Sequence, residues 1–82
     1  MKEMMKKLEE LENIATIADK EYENEPENEE KENAFDIAYK NEYIFFNEVA
    51  EEIVKITSGK IELKIAREML RTKRNELKVL FN

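Results

Sequence analysis

Only two residues in this chain of 82 interrupt a helix by their own chemistry: Pro26 and Gly59, the single proline and the single glycine. Proline lacks a backbone donor and crowds the preceding turn. Glycine takes the left-handed conformation at a helix end without steric cost. Three helical stretches divided at these points are therefore the simplest organisation open to the chain. Eighteen glutamates and eleven lysines supply strong helix formers between the breaks, and the fold class expected is all-α in a single domain.

The first stretch has the most regular pattern. Met1, Met4, Leu8, Leu11, Ala15, Ala18 and Tyr22 recur at alternating steps of three and four, which keeps an apolar stripe on one side of a helix as in a coiled coil. Helix 1 is expected over about 2–23, and Met4, Leu8, Leu11, Ala15, Ala18 and Tyr22 form its candidate self-association surface. An acidic break follows over 23–33, without one apolar side chain apart from Pro26. Two starts for the next helix are consistent with it. One lies near Pro26, with Glu27, Glu29 and Glu30 at the positive end of the helix dipole, and the other near Asn33.

Helix 2 is expected over about 34–57 as the central element, because its apolar residues form two neighbouring lines rather than one. Phe35, Ala38, Phe45, Val49, Ile53 and Ile56 make one line; Tyr39, Tyr43, Phe46 and Ala50 make the other. Phe45 and Ile53 are expected in the core. Ser58-Gly59 opens a turn over 58–61, and helix 3 is expected over about 62–81, with Lys73 interrupting its apolar seam. So short a turn forces helices 2 and 3 into an antiparallel hairpin. The second line of helix 2 must then be covered either by helix 1, giving a three-helix bundle, or by another chain, giving a dimeric helical bundle.

Composition removes several functional classes. Without cysteine or histidine there is no disulfide framework, thiolate nucleophile, zinc-finger site or imidazole base. No stretch has the length and apolarity of a membrane span, Glu3, Glu9 and Glu10 interrupt any secretory leader, and a cytoplasmic location is expected. Eight asparagines and eight isoleucines beside so many lysines and glutamates point to an AT-rich genome. The stretch from Gly59 to Phe81 resembles the small helical reading frames of phages and mobile elements in low-GC bacteria, which implies that kind of source.

Net charge is −6, but it is unevenly divided: residues 60–82 hold seven bases against three acids, while Asp19 to Asp36 hold nine acids against two lysines. Arg67, Arg71, Arg74 and Lys78 recur along one face of helix 3 and form a candidate charged partner face. No aromatic residue is interleaved with them and the chain is acidic overall, so a salt-bridged helix face outweighs nucleic-acid binding. The acidic run could imitate a phosphate backbone; a solvated linker is the simpler expectation. Carboxylates at helical spacing, such as Glu9 with Glu12 or Glu48 with Glu51 and Glu52, lack the histidines of a di-iron bundle, and no metal or other cofactor is expected. Ser58, the one serine, has no base to activate it, and an enzyme is not expected.

These readings lead to a non-enzymatic helical interaction protein that self-associates and binds another protein. An acidic inhibitor or nucleic-acid mimic acting on a host DNA or RNA enzyme is the alternative, and direct nucleic-acid binding through helix 3 is the third.

Overall fold

The computed structural model describes residues 1–81, and the fold is all-α, with no strand among them. Four helices follow in order: α1 (Lys2–Asn24), α2 (Glu29–Ile56), α3 (Leu63–Thr72) and α4 (Arg74–Leu80).

The break between α1 and α2 is shorter than expected, and α2 begins at Glu29, neither at Pro26 nor near Asn33. Asn28 decides the position. Its side-chain oxygen accepts from the backbone N–H groups of Glu30 (3.0 Å) and Lys31 (3.3 Å), satisfying donors that a helix start leaves free. Glu29, Glu30 and Glu32 then occupy the first turn, where the dipole favours carboxylates. Pro26 instead sits second in a tight turn closed by the Asn28 N–H on the Glu25 carbonyl at 3.0 Å, a place that suits its fixed φ.

Four connecting residues leave α1 no course but to fold back along α2. Near the connection Tyr22 stacks on Phe35 with ring centroids 5.7 Å apart, and Lys31 pairs with Glu21 at 3.3 Å. Towards the other end the Lys7 ammonium lies 4.7 Å from the centre of the Phe45 ring. The stripe of helix 1 therefore faces α2 of its own chain, with Leu8 and Ala18 buried and Met4, Leu11, Ala15 and Tyr22 half-buried. That stripe, the candidate self-association surface, is thus largely covered by α2, with Leu11 still reaching an open hollow.

At the far end of α2 the chain reverses through a Schellman motif. The Ser58 N–H reaches the Lys55 carbonyl at 3.1 Å, and the Gly59 N–H reaches the Val54 carbonyl at 2.9 Å. Both turn residues are left-handed, Ser58 with φ 53° and Gly59 with φ 80°. The glycine supports the turn as expected, but the residue in the usual glycine place is Ser58. Gly59→Val is expected to cost at least about 1–2 kcal/mol through strain alone, since no neighbouring atom crowds the added Cβ. Ser58→Gly is expected to raise stability by up to about 1 kcal/mol. Chemical denaturation of the two variants checks both signs.

The third expected helix is two helices. At Lys73 the backbone leaves helical geometry (φ −133°, ψ 37°), ending α3 and starting α4 without any glycine or proline. Side chains replace the lost backbone pairing. Arg74 Nε donates to the Leu70 carbonyl at 3.0 Å, and Thr72 Oγ1 donates to that of Glu68 at 2.9 Å, a back-bond that bends helices. The bend turns α4 onto the first half of α1.

Leu8 and Met5 of α1, Phe46, Val49, Ala50 and Ile53 of α2, Ala66 and Leu70 of α3 and Leu77 of α4 share one core. Phe46 is the buried aromatic, while Phe45 is only half-buried beneath Lys7, which corrects the expectation for Phe45 and upholds that for Ile53. The two lines on α2 are thus used on two sides, one towards α1 and the other towards α3. Because α3 and α4 are short, four helices meet only around the first half of α1 and the second half of α2. Beyond them the rest of α1 and the start of α2 extend as a two-helix arm, and the molecule measures 46 × 19 × 18 Å.

Candidate interaction surface

Each cation of the basic row of helix 3 touches a neighbouring helix, Arg67 and Arg74 half-buried and Arg71 and Lys78 exposed. Arg67 Nε donates to Asn47 Oδ1 at 3.0 Å, and the Arg71 guanidinium lies 5.3 Å from the centre of the Phe46 ring. Arg74 makes a two-point pair with Glu12, one arm through Nη1 and the other through Nη2 at 2.9 Å, while Lys78 pairs with Glu9. The four cations of the candidate partner face thus tie α3 and α4 to α1 and α2, as a salt-bridged helix face would, while Arg71 and Lys78 stay exposed. The physical reason is the bend at Lys73, which carries Arg74 and Lys78 over the acidic side of α1. Lys60, Lys64 and Lys73 are exposed without such a contact, but they lie on the turn, on α3 and at the bend rather than in a row.

Electrostatics around this clasp are not balanced. The hydrogen bond to Glu12 holds the Arg74 guanidinium above its ordinary pKa, against the opposing effect of burial. Burial pushes the Glu42 carboxyl up, the charge of Glu12 pushes it the same way, and Arg74 opposes them. No cation among the described residues stands within ion-pair distance of Glu42, because Arg74 is already committed to Glu12. Spacing in the sequence does not reveal this, since Glu12 and Glu42 meet only through the α1/α2 pairing.

The arm offers two surfaces. On the side where α3 packs farther down, a shallow groove of about 400 Å³ begins among Tyr39, Glu42, Tyr43 and Arg71. It continues into a second hollow of about 310 Å³ over Ala15, Thr16 and Asp19. Tyr39 and Tyr43 are 56% and 57% exposed, although their line on α2 is the one that packs on α3 lower down. α3 simply ends before it reaches them.

On the opposite side a hollow of about 300 Å³ is lined by Lys7, Leu11, Asn41, Ile44, Phe45 and Glu48. Ile44 and Ile37, seven residues apart on one face of α2, are both exposed, as is Ile14 one turn beyond Leu11. This strip carries one lysine and one glutamate on its rim, so it is apolar and close to neutral. Among the stripe residues of helix 1, Leu11 alone lines it.

The described residues contain no group of three or more Asp, Glu, His or Cys side chains placed to hold a metal ion, and no helix long and apolar enough to cross a membrane. Around the acidic turn, the carboxylates from Glu21 to Glu32 are all exposed, and only Glu21 has a cation partner, Lys31. No protein-family model, curated protein or solved structure matches this chain.

Proposed function

We propose that this chain is a non-enzymatic helical interaction module that self-associates and holds another protein, most simply in the cytoplasm of a low-GC bacterium or of a phage or mobile element within it. One observation supports the reading above all others: the arm leaves large apolar side chains uncovered on both of its sides, Ile14, Ile37 and Ile44 on one and Tyr39 and Tyr43 on the other. Contiguous apolar surface on so small a chain is the mark of a docking face. A second copy suits the Leu11 and Ile44 strip, since its near-neutral rim does not repel an identical surface.

Sedimentation tests the self-association. A concentration-dependent dimer is expected over about a hundredfold range around micromolar chain, and Ile44→Glu is expected to abolish it while leaving the unfolding midpoint of the diluted, monomeric chain nearly unchanged. A strictly monomeric mass throughout would remove the dimer from the proposal.

The alternative of an acidic mimic draws support from the exposed, mostly unpaired carboxylates at the tip of the arm. Salt separates the two readings. Binding by the mimic falls steeply as ionic strength rises, whereas docking on the apolar strip persists. Direct nucleic-acid binding has the weakest support, because Arg67, Arg71, Arg74 and Lys78 are each engaged by a residue of α1 or α2.

A further inference from the structure

We infer that the groove on the α3 side of the arm receives a basic amphipathic helix from a partner protein, laid along the track that α3 leaves empty. The inference deepens the proposed function by naming the chemistry of the partner.

The track follows from lengths. α2 has 28 residues and α3 only 10, so α3 covers the second half of α2 and stops beside Phe46. A helix rises 1.5 Å per residue, which leaves roughly 20 Å of α2 upstream without a neighbour on that side. The small side chains Ala15 and Thr16 line the floor from α1, and Tyr39 and Tyr43, one turn apart, form the wall from α2. Small residues below and aromatic rings beside are the arrangement that lets a helix settle between two others.

Charge selects the occupant. Glu12, Asp19 and Glu42 line this groove against Arg71 and Arg74, and with Arg74 paired to Glu12, Asp19 and Glu42 are left without an ion pair among the described residues. A neutral helix would bury those carboxylates with no counter-charge beyond Arg71 and Arg74, and a second copy of the arm would bring its own acids against them. A lysine or arginine flanking an apolar stripe instead pairs with Glu42, a group that burial already disfavours as a lone anion. The nine acids between Asp19 and Asp36 extend the same attraction beyond the groove and speed the encounter.

The test uses the full chain and two synthetic peptides of about 18 residues, each with one leucine and alanine face. One is flanked by lysine and arginine, and its twin by glutamate. The basic peptide is expected to bind saturably, shifting the amide resonances of Ala15, Thr16, Asp19, Tyr39 and Tyr43, with the acidic twin at least about tenfold weaker. The double variant Asp19→Lys, Glu42→Lys is expected to reverse that preference. Tyr43→Ala, a change at an exposed ring, is expected to weaken the basic peptide while leaving the helical signal intact.

Equal binding of both peptides, resonance shifts confined to Leu11 and Ile44, or no saturation would each overturn the inference. So would a change in sedimentation on Tyr43→Ala, which would make a second copy the occupant. These failures are separable from failure of the module itself, which is judged by dimerisation through the Ile44 strip on the other side of the arm.

Discussion

Phe46→Ala is expected to destabilise the chain by about 3–5 kcal/mol, and Phe45→Ala by less than half as much. The two rings are neighbours in sequence with the same chemistry, so the difference isolates position. Phe46 is 7% exposed and packs in the shared core, with the Arg71 guanidinium over its face. Removing the ring opens a cavity that three helices cannot close, and it also leaves Arg71 without its aromatic partner. Phe45 lies at the edge of the core under Lys7, where water can replace much of what is removed. For a chain of this size the larger loss lowers Tm by more than about 10 °C. Thermal unfolding of both variants checks the order. Equal losses would place the core astride both rings and contradict the packing described.

The second large effect belongs to α4. Leu77 is fully buried in the core from a helix of only seven residues, whereas Val79, two positions on, is 76% exposed. Leu77→Ala is expected to cost about 2–5 kcal/mol and Val79→Ala less than about 0.5 kcal/mol. A short helix cannot persist without tertiary support, so loss of Leu77 is expected to release α4 as a unit. The clasp of Arg74 on Glu12 and Lys78 on Glu9 would not hold it alone, since partly exposed ion pairs contribute on the order of 1 kcal/mol or less. Hydrogen exchange of the α4 amides in Leu77→Ala checks this, with loss of protection there expected to exceed that in α1 and α2. If the two substitutions prove equally mild, α4 is not docked through Leu77.

These two contrasts also bear on the interaction surface. The groove that receives a partner helix is open because α3 ends at Thr72 and the bend at Lys73 sends α4 down α1 rather than on along the arm. Had the third helix continued straight, its last turns would have covered Tyr39 and Tyr43. The bend that buries Leu77 and the exposure of the groove are therefore consequences of one local event.

The sequence by itself determined the all-α class, the apolar stripe of the first helix, the two-sided character of the central helix and the reversal at Ser58-Gly59. Each of these depends on short-range periodicity or on the backbone freedom of one residue, and those are properties of the linear chain. It did not determine what each stripe would face. A three-four repeat suits a second chain as well as a neighbouring helix of the same chain, and only the four-residue connection capped by Asn28 places α2 on it. The same limit applied to the basic row. Arg67, Arg71, Arg74 and Lys78 read as one surface at helical spacing, yet a single non-helical residue, Lys73, divides them and turns the last two onto Glu12 and Glu9. That bend carries no glycine or proline to announce it, because it is sustained by Leu77 reaching a core assembled from three other helices. Tertiary packing decided it, since burial of Leu77 offsets the interruption of the helix at Lys73, where Arg74 Nε meets the Leu70 carbonyl.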